Sequence, residues 1–359
     1  MNCHEMLKHF KIQKSGAGVA QDDMQEVKMK SVRLHGIGDL QLHEEDVPLA
    51  GEGEKLVRVK SVGVCGSDLH WFSEGSIGDV KLEQPLVLGH EFAGVTEDGQ
   101  RVAVDPAIPC GRCEFCEQGH PNLCANLIFA GQGTTDGGFR EWLAWSEKSL
   151  VPIPDSLSDA DGAMLEPLGI AIHTVDLAKL KAGMTVGIFG CGPIGLLILQ
   201  MAKLSGAAQI IATDKLAHRV EAAKGFGVSQ VYFAGDDSRL SQIGAATNGR
   251  GVDVAFDAAG VQDAVDDAVA AVCPGGKVIL AGIPDDDRTS FSASAARRKG
   301  LTIKLVRRMK HTYPRAIELV SKGLVDVRSI VTHRFPLEQA VEAFRVAERR
   351  EGLKIIIEV

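Results

Sequence analysis

The sequence predicts an α/β protein of two units, a mainly-β half and a doubly wound parallel sheet. Three observations carry that expectation. The 359 residues exceed a single domain of roughly 150 residues more than twofold. Up to about residue 155, short Val-rich runs are broken by Gly and Pro, and beyond Lys181-Ala182-Gly183 apolar strands alternate with segments of helix length.

Residues 1–27 mix Lys, His, Gln, Asp and Gly without a sustained period and read as a flexible extension. A strand pattern begins at Lys28-Met29-Lys30-Ser31-Val32, and others are expected over Lys55 to Val64, Gly89 to Val95 and Gln100 to Val104. The doubly wound unit is expected over 169–308, with strands near 185–189, 208–213, 230–233, 252–257, 277–281 and 302–306. Helical crossovers between successive strands imply parallel pairing. Tyr313 to Ser321 and Leu337 to Arg350 read as helices and Lys354 to Val359 as a closing apolar strand. The first unit is thus expected to comprise 28–168 and 309–359.

Composition narrows the function classes. Hydrophobic residues at 45% and charged residues at 24% are ordinary globular usage and exclude disorder for most of the chain. A net charge of −8 without long like-charge blocks gives no support for a nucleic-acid partner. No apolar run approaches a membrane span and the start lacks a secretory apolar region, so a cytoplasmic protein without a membrane partner is expected.

Gly190-Cys191-Gly192-Pro193-Ile194-Gly195 follows the strand at Thr185 to Phe189 and precedes the apolar segment Ile194 to Leu204. In that setting Gly190 serves a tight turn, Gly192 the approach of a pyrophosphate to backbone, and Gly195 close packing of helix on strand. Asp214 lies 19 residues beyond Gly195, where a carboxylate accepts from ribose hydroxyls and repels a 2′-phosphate. NAD is therefore expected over NADP, although Lys215 and Arg219 soften the repulsion. Further cofactor contacts are expected at Pro193, Ile194, Arg219, Ala281, Gly282 and Ile283.

Cys110, Cys113, Cys116 and Cys124 follow C-x2-C-x2-C-x7-C spacing, which lets backbone turns aim four thiolates at one zinc ion about 2.3 Å away. Four soft ligands close the coordination sphere, so a structural zinc is expected. Cys65-Gly66-Ser67-Asp68-Leu69-His70 and Gly89-His90-Glu91 supply a thiolate, imidazoles and carboxylates. Three ligands and an open position would make a catalytic zinc. Cys191 and Cys273, with no paired ligand nearby in sequence, are assigned to packing.

These motifs, with Leu165-Glu166-Pro167-Leu168 and Val331-Thr332-His333-Arg334-Phe335-Pro336-Leu337, resemble the zinc-containing medium-chain dehydrogenases, most closely the polyol (sorbitol, L-iditol 2-) dehydrogenase branch. The resemblance covers roughly residues 29–359. It implies a GroES-like catalytic domain joined to a Rossmann domain, two zinc ions per chain, and NAD. By it Cys65, His90 and Glu91 are the catalytic-zinc ligands, and Glu166 binds water or substrate or approaches the metal. Asp68 fixes the ligand imidazole, and Ser67 and His70 form a proton exit. Trp71, Phe129 and Arg308 line the substrate pocket, with Arg308 donating to polyol hydroxyls. Animal members usually carry Tyr where Trp71 and Met309 stand and lack the four-cysteine lobe, so the chain looks more like microbial members.

The implied reaction is reversible oxidation of a secondary alcohol of a polyol to a ketose. Proton loss through bound water, through Glu166 or through Ser67 and His70 stays open. An L-threonine 3-dehydrogenase-like enzyme resembles the chain in the cysteine lobe and in Gly89-His90-Glu91-Phe92, but typically carries Asp-Pro-Phe where Glu166-Pro167-Leu168 stands. A simple-alcohol dehydrogenase fits less well with a pocket holding Arg308 and Glu166. A non-catalytic NAD-binding sensor would carry one zinc rather than two. Related enzymes are commonly tetramers, so a homotetramer or dimer is expected by analogy.

Overall fold

The computed structural model describes residues 28–359, and the extension expected over 1–27 lies outside the described residues. Val-rich segments broken by turns form a seven-stranded sheet. Its strands run in the order Leu150–Pro152, Arg101–Val104, Glu91–Thr96, Glu54–Val64, Lys354–Glu358 and Val331–Pro336, and Trp142–Ser146 also pairs with Glu54–Val64. Glu54–Val64 is the central strand, antiparallel to Glu91–Thr96 and to Lys354–Glu358, and its last four residues are buried. Pairs such as Ile355 with Val64 and Ile357 with Val62 draw the end of the chain into the first unit. A side hairpin, Lys28–Gly36 with Asp39–Asp46, packs Val32 and Leu34 into the same core.

The second sheet has six strands, all parallel: Gln230–Phe233, Gln209–Asp214, Thr185–Phe189, Val252–Asp257, Val272–Leu280 and Thr302–Leu305. Helices cover both faces, which is why Thr185–Phe189 and Val252–Asp257 are nearly continuous apolar runs. In chain order the strands lie 3-2-1-4-5-6, so the order reverses between Thr185–Phe189 and Val252–Asp257. Ligands of such sheets bind outside the carboxyl ends of the strands at that reversal. One strand differs from expectation. It starts at Val272 rather than near 277, because Gly275 takes a positive φ of 76° and the strand continues through a shifted register.

Helix Leu165–Ala178 links the two units and packs on helix Pro193–Leu204 through Leu168, Ile172, Leu196 and Leu197, all fully buried. Truncating one such leucine costs about 2–5 kcal/mol. On the return crossing, the buried Tyr313 hydroxyl donates to the Val104 carbonyl at 2.8 Å, fastening the segment after Thr302–Leu305 to the seven-stranded sheet. Both crossings thereby hold residues that face the space between the sheets at fixed positions.

Candidate active site

Cys65 follows the central strand directly and caps helix Gly66–Glu74 with extended dihedrals, φ −98° and ψ 157°. Asp68, fully buried in the first turn of that helix, accepts from the Cys65 backbone N–H at 2.9 Å. Its other oxygen accepts from Gly89 N–H at 3.3 Å and lies 3.3 Å from His90 Nδ1. One carboxylate therefore ties the Cys65 segment to the His90 segment. With Nδ1 turned to Asp68, His90 presents Nε2 outward, the orientation a metal-ligating imidazole needs.

Glu91 opens its strand directly opposite Gly63. Only glycine fits there, since a Cβ on residue 63 would stand 2.1 Å from Glu91 Oε2. Lys354, in the apolar closing strand, donates to both Glu91 oxygens at 2.8 and 2.6 Å and to the Val64 carbonyl at 3.0 Å. Both side chains of this ion pair are almost wholly buried. Sequence reasoning missed Lys354; its signal was a lysine opening the run Lys354-Ile355-Ile356-Ile357.

The Cys65, His90 and Glu91 donor atoms lie within 4.8 Å of one another. The edges of a zinc tetrahedron are roughly 3.5 Å, so thiolate, imidazole and carboxylate suit one ion with Lys354 still balancing Glu91. Burial works against charge on His90, but Asp68 and Cys65 outweigh it and hold the imidazole well above its ordinary value. Glu166, in the first turn of helix Leu165–Ala178, is 5% exposed. Burial pushes its carboxyl up to about 8, against the pull of His90 and with the push of Glu91.

Beyond His90 lie Phe129, its ring tilted by 43° to the imidazole, and then Arg308. The Phe129 ring centroid is 5.5 Å from that of His90, and the Arg308 guanidinium carbon is 3.5 Å from the Phe129 centroid. Arg308 Nη2 donates to Gln132 Oε1 at 2.7 Å. Sequence reasoning named Phe129 and Arg308 but missed Gln132, whose polar chain three residues past Phe129 was the only cue. Trp71 differs in setting: it is 2% exposed and packed in the apolar core of the mainly-β unit.

Ser67 Oγ lies 3.2 Å from His90 Nε2. His70 Nδ1 meets Glu74 at 3.1 Å and Asp285, from a loop of the second unit, at 3.8 Å. Ser67 and His70 are not hydrogen-bonded to each other. The expected proton exit is therefore brought together only in part, with its outer end where the two units touch.

At the sheet reversal the chain turns through Gly190, φ 106°, and Gly192 caps helix Pro193–Leu204 with Pro193 at its first position and Ile194 next. A Cβ on Gly195 would stand 1.9 Å from the Gly190 carbonyl oxygen. Asp214 ends its strand and accepts from Cys191 N–H at 2.7 Å and Leu216 N–H at 2.8 Å, bracing the turn from the neighbouring strand. Arg219 Nη1 stands 3.3 Å from where a Gly192 Cβ would be. Ala281 and Gly282 follow the fifth strand and donate to the Asp257 carbonyl at 2.9 and 3.2 Å, while Ile283 is 47% exposed beside them. Burial, with Asp214 adding to it, pushes the Cys191 thiol up to about 12, as suits a packing role.

Cys110, Cys113, Cys116 and Cys124 converge within 4.8 Å across a loop holding the short helix Glu114–Glu117. Backbone N–H groups from Arg112 onward lower the Cys110 thiol to about 6, while burial and Cys113 raise that of Cys116 to about 12. Four cysteine sulfurs gathered at one point are a donor set that fits a structural zinc.

Residues 51–155 match the family described as alcohol dehydrogenase GroES-like domain, and residues 193–322 match zinc-binding dehydrogenase. A sorbitol dehydrogenase from Bacillus subtilis is 36% identical over 341 residues, spanning 92% of this chain and 97% of the relative. The chain belongs to the zinc-binding dehydrogenase family. This dehydrogenase is also 34% identical to a probable D-xylulose reductase A from Emericella nidulans, over 90% of the chain and 94% of that protein. Its fold matches the crystal structure of L-idonate 5-dehydrogenase from Escherichia coli at TM-score 0.86 and 26% identity, covering 93% and 99% of the two chains. The structure of 2R,3R-butanediol dehydrogenase from Bacillus subtilis matches at TM-score 0.82 and 29% identity, covering 92% and 99%. The expected pairing of a GroES-like unit with a Rossmann unit and oxidoreductase activity follow from that membership. Among the described residues no helix is long and apolar enough to cross a membrane.

Proposed function

We propose that this dehydrogenase oxidises a secondary hydroxyl of a polyol to a ketone, reversibly, with NAD as acceptor. The net change is alcohol plus oxidised dinucleotide to ketone, reduced dinucleotide and one proton. The observation that carries the reading is the Cys65, His90 and Glu91 group with Glu166 in electrostatic range of His90 and Glu91 and, in turn, of Arg308. Zinc, when bound there, supplies a Lewis acid that draws charge from a substrate oxygen.

The chain's own residues divide the remaining work. Asp68 holds the His90 tautomer and Lys354 holds Glu91. Arg308 donates to substrate hydroxyls, its plane fixed by Phe129 and Gln132. Glu166, whose carboxyl is pushed up to about 8, is suited to exchange a proton near neutral pH. Ser67 beside His90 and His70 at the edge of the second unit offer the way out. Asp214 supports NAD over NADP at the adenosine ribose.

The edge strand Thr302–Leu305, with Leu305 72% exposed, supports assembly into a dimer or tetramer. Four cysteines gathered as a metal-ligand set rather than spread as a disulfide framework support a cytoplasmic setting. The test is steady-state kinetics on sorbitol, xylitol, L-arabinitol, galactitol and L-threonine with NAD and with NADP, alongside zinc content. Polyol turnover with NAD is the expected result. Preference for threonine would replace this reading with the threonine 3-dehydrogenase one, and a single zinc without turnover would leave a binding protein.

A further inference from the structure

Between strand Thr302–Leu305 and helix Tyr313–Ser321 the chain has no regular structure, and Arg307 to His311 make no backbone–backbone hydrogen bond among the described residues. Backbone without a ladder has to be placed by side chains. Arg308 and His311 there take positive φ of 54° and 49°, a left-handed conformation that persists outside glycine only where the surroundings impose it.

Those surroundings come from the four-cysteine lobe. Asn122 Nδ2 donates to the Arg307 carbonyl at 3.0 Å, and His120 Nδ1 meets Lys310 Nζ at 3.0 Å. Asn122 lies in the tight turn Pro121–Leu123, directly before Cys124, and is 8% exposed. Its amide oxygen has no hydrogen-bond partner, so the Arg307 carbonyl decides how the amide is turned. On the other side, Met309 and Thr312 press on Gly169 of helix Leu165–Ala178, where a Cβ would stand 2.5 Å from Met309 Sδ and 2.6 Å from Thr312 Oγ1. Packing therefore places the later half of the segment, and Asn122 the earlier half.

The tie acts on the peptide that leads into Arg308. The Arg307 carbonyl and the Arg308 N–H share one rigid plane, and φ of Arg308 is the rotation next to it. Holding the carbonyl holds the direction in which the Arg308 side chain leaves the backbone toward Phe129 and Gln132. Without the tie, that plane can turn and return Arg308 to an ordinary negative φ.

We propose that Asn122 is a positioning residue for the substrate: by fixing the peptide before Arg308 it keeps the guanidinium where polyol hydroxyls meet it. Through Asn122 the four-cysteine lobe sets substrate affinity as well as stability. The inference deepens the polyol reading and rests on its assignment of Arg308. A substrate that binds one of two backbone conformers has its apparent affinity reduced by the fraction of chains in that conformer, while bound molecules react as before. Loss of the tie therefore shows in KM and not in kcat.

The test is Asn122→Asp, close to the parent in shape but without the amide donor, assayed on sorbitol and xylitol with NAD. NADH binding by fluorescence and zinc per chain are measured on the same protein. Polyol KM should rise about five- to tenfold, the loss of one neutral hydrogen bond, with kcat, NADH affinity and zinc content kept. Asn122→Gln, which carries the donor on a longer arm, should fall between the two. In an Arg308→Gln background Asn122→Asp should have no further effect on KM, because the group it positions is gone, whereas general loosening of the lobe would add to it. Should Asn122→Asp fail to fold, the exposed His120→Ala, which cuts only the second tie, should raise polyol KM about twofold and spare kcat.

An unchanged polyol KM in folded Asn122→Asp, or in His120→Ala where that variant stands in, would overturn the inference and leave the polyol reading standing. So would a loss confined to kcat, or an equal effect of Asn122→Asp with and without Arg308. A parent enzyme that oxidises threonine and no polyol would end both.

Discussion

The four-cysteine loop and the Cys65, His90 and Glu91 group each gather ligand atoms within 4.8 Å, yet they are built in opposite ways. The loop draws its ligands from one short stretch, Cys110 to Cys124, and three of its four cysteines remain partly accessible. The other group joins two segments, depends on buried Asp68 to tie them, and takes its balancing charge from Lys354 near the far end of the chain. Four like ligands from one loop suit a clamp. Three unlike ligands, two of them tied by Asp68 and the third by Lys354, suit a site whose fourth position is left for substrate.

Breaking the second group should have the larger chemical effect. Cys65→Ser is expected to lower polyol oxidation by about 10³-fold or more and to halve bound zinc, read by turnover and elemental analysis of folded protein. Normal turnover with full zinc content would sink the assignment. Lys354→Met should weaken zinc by roughly 10–100-fold in chelator competition and destabilise the fold, because it leaves Glu91 buried and unpaired. Adding Glu91→Gln should recover stability without recovering zinc. If the double variant rebinds zinc normally, Glu91 is not a ligand.

Cys113→Ser tests the other side of the comparison. It should lower the thermal midpoint by several degrees, at roughly 2–4 °C per kcal/mol in a chain of this order of size, while turnover per folded molecule stays near the parent value. A rate loss as steep as that of Cys65→Ser would mean that the loop does more than clamp.

That contrast also explains what the sequence made legible. The four-cysteine spacing and the Gly190 to Gly195 turn are local, so residue type and interval predict their geometry. Four strands of the seven-stranded sheet were legible as runs, whereas Trp142–Ser146, Leu150–Pro152 and Val331–Pro336 were not, nor was the strand order, since pairing of Lys354–Glu358 with Glu54–Val64 joins residues more than 290 positions apart. Lys354 escaped notice for the same reason: its partner Glu91 lies on a strand that only the fold brings near. Gln132 and Asp285 likewise acquire meaning only through Arg308 and His70. Trp71 shows the reverse limit, for its place beside His70 in sequence says nothing of which way the helix buries it.

Asp105 lies on the seam between the two sites, just before the four-cysteine loop and in range of Arg308. Burial raises its carboxyl to about 6, against the Ala107 N–H it accepts from and against Arg308. The ordinary value is 3.8, so between those pH values the folded state binds more protons than the unfolded one. Stability therefore falls as pH rises through that window, and the full penalty stands above it. Asp105→Asn should remove the slope and raise unfolding free energy at pH ~7.5 by about 1–2 kcal/mol, measured by urea denaturation there and near pH ~4. A less stable Asn variant at the higher pH would mean that ionised Asp105 contributes more by compensating Arg308 than its burial costs.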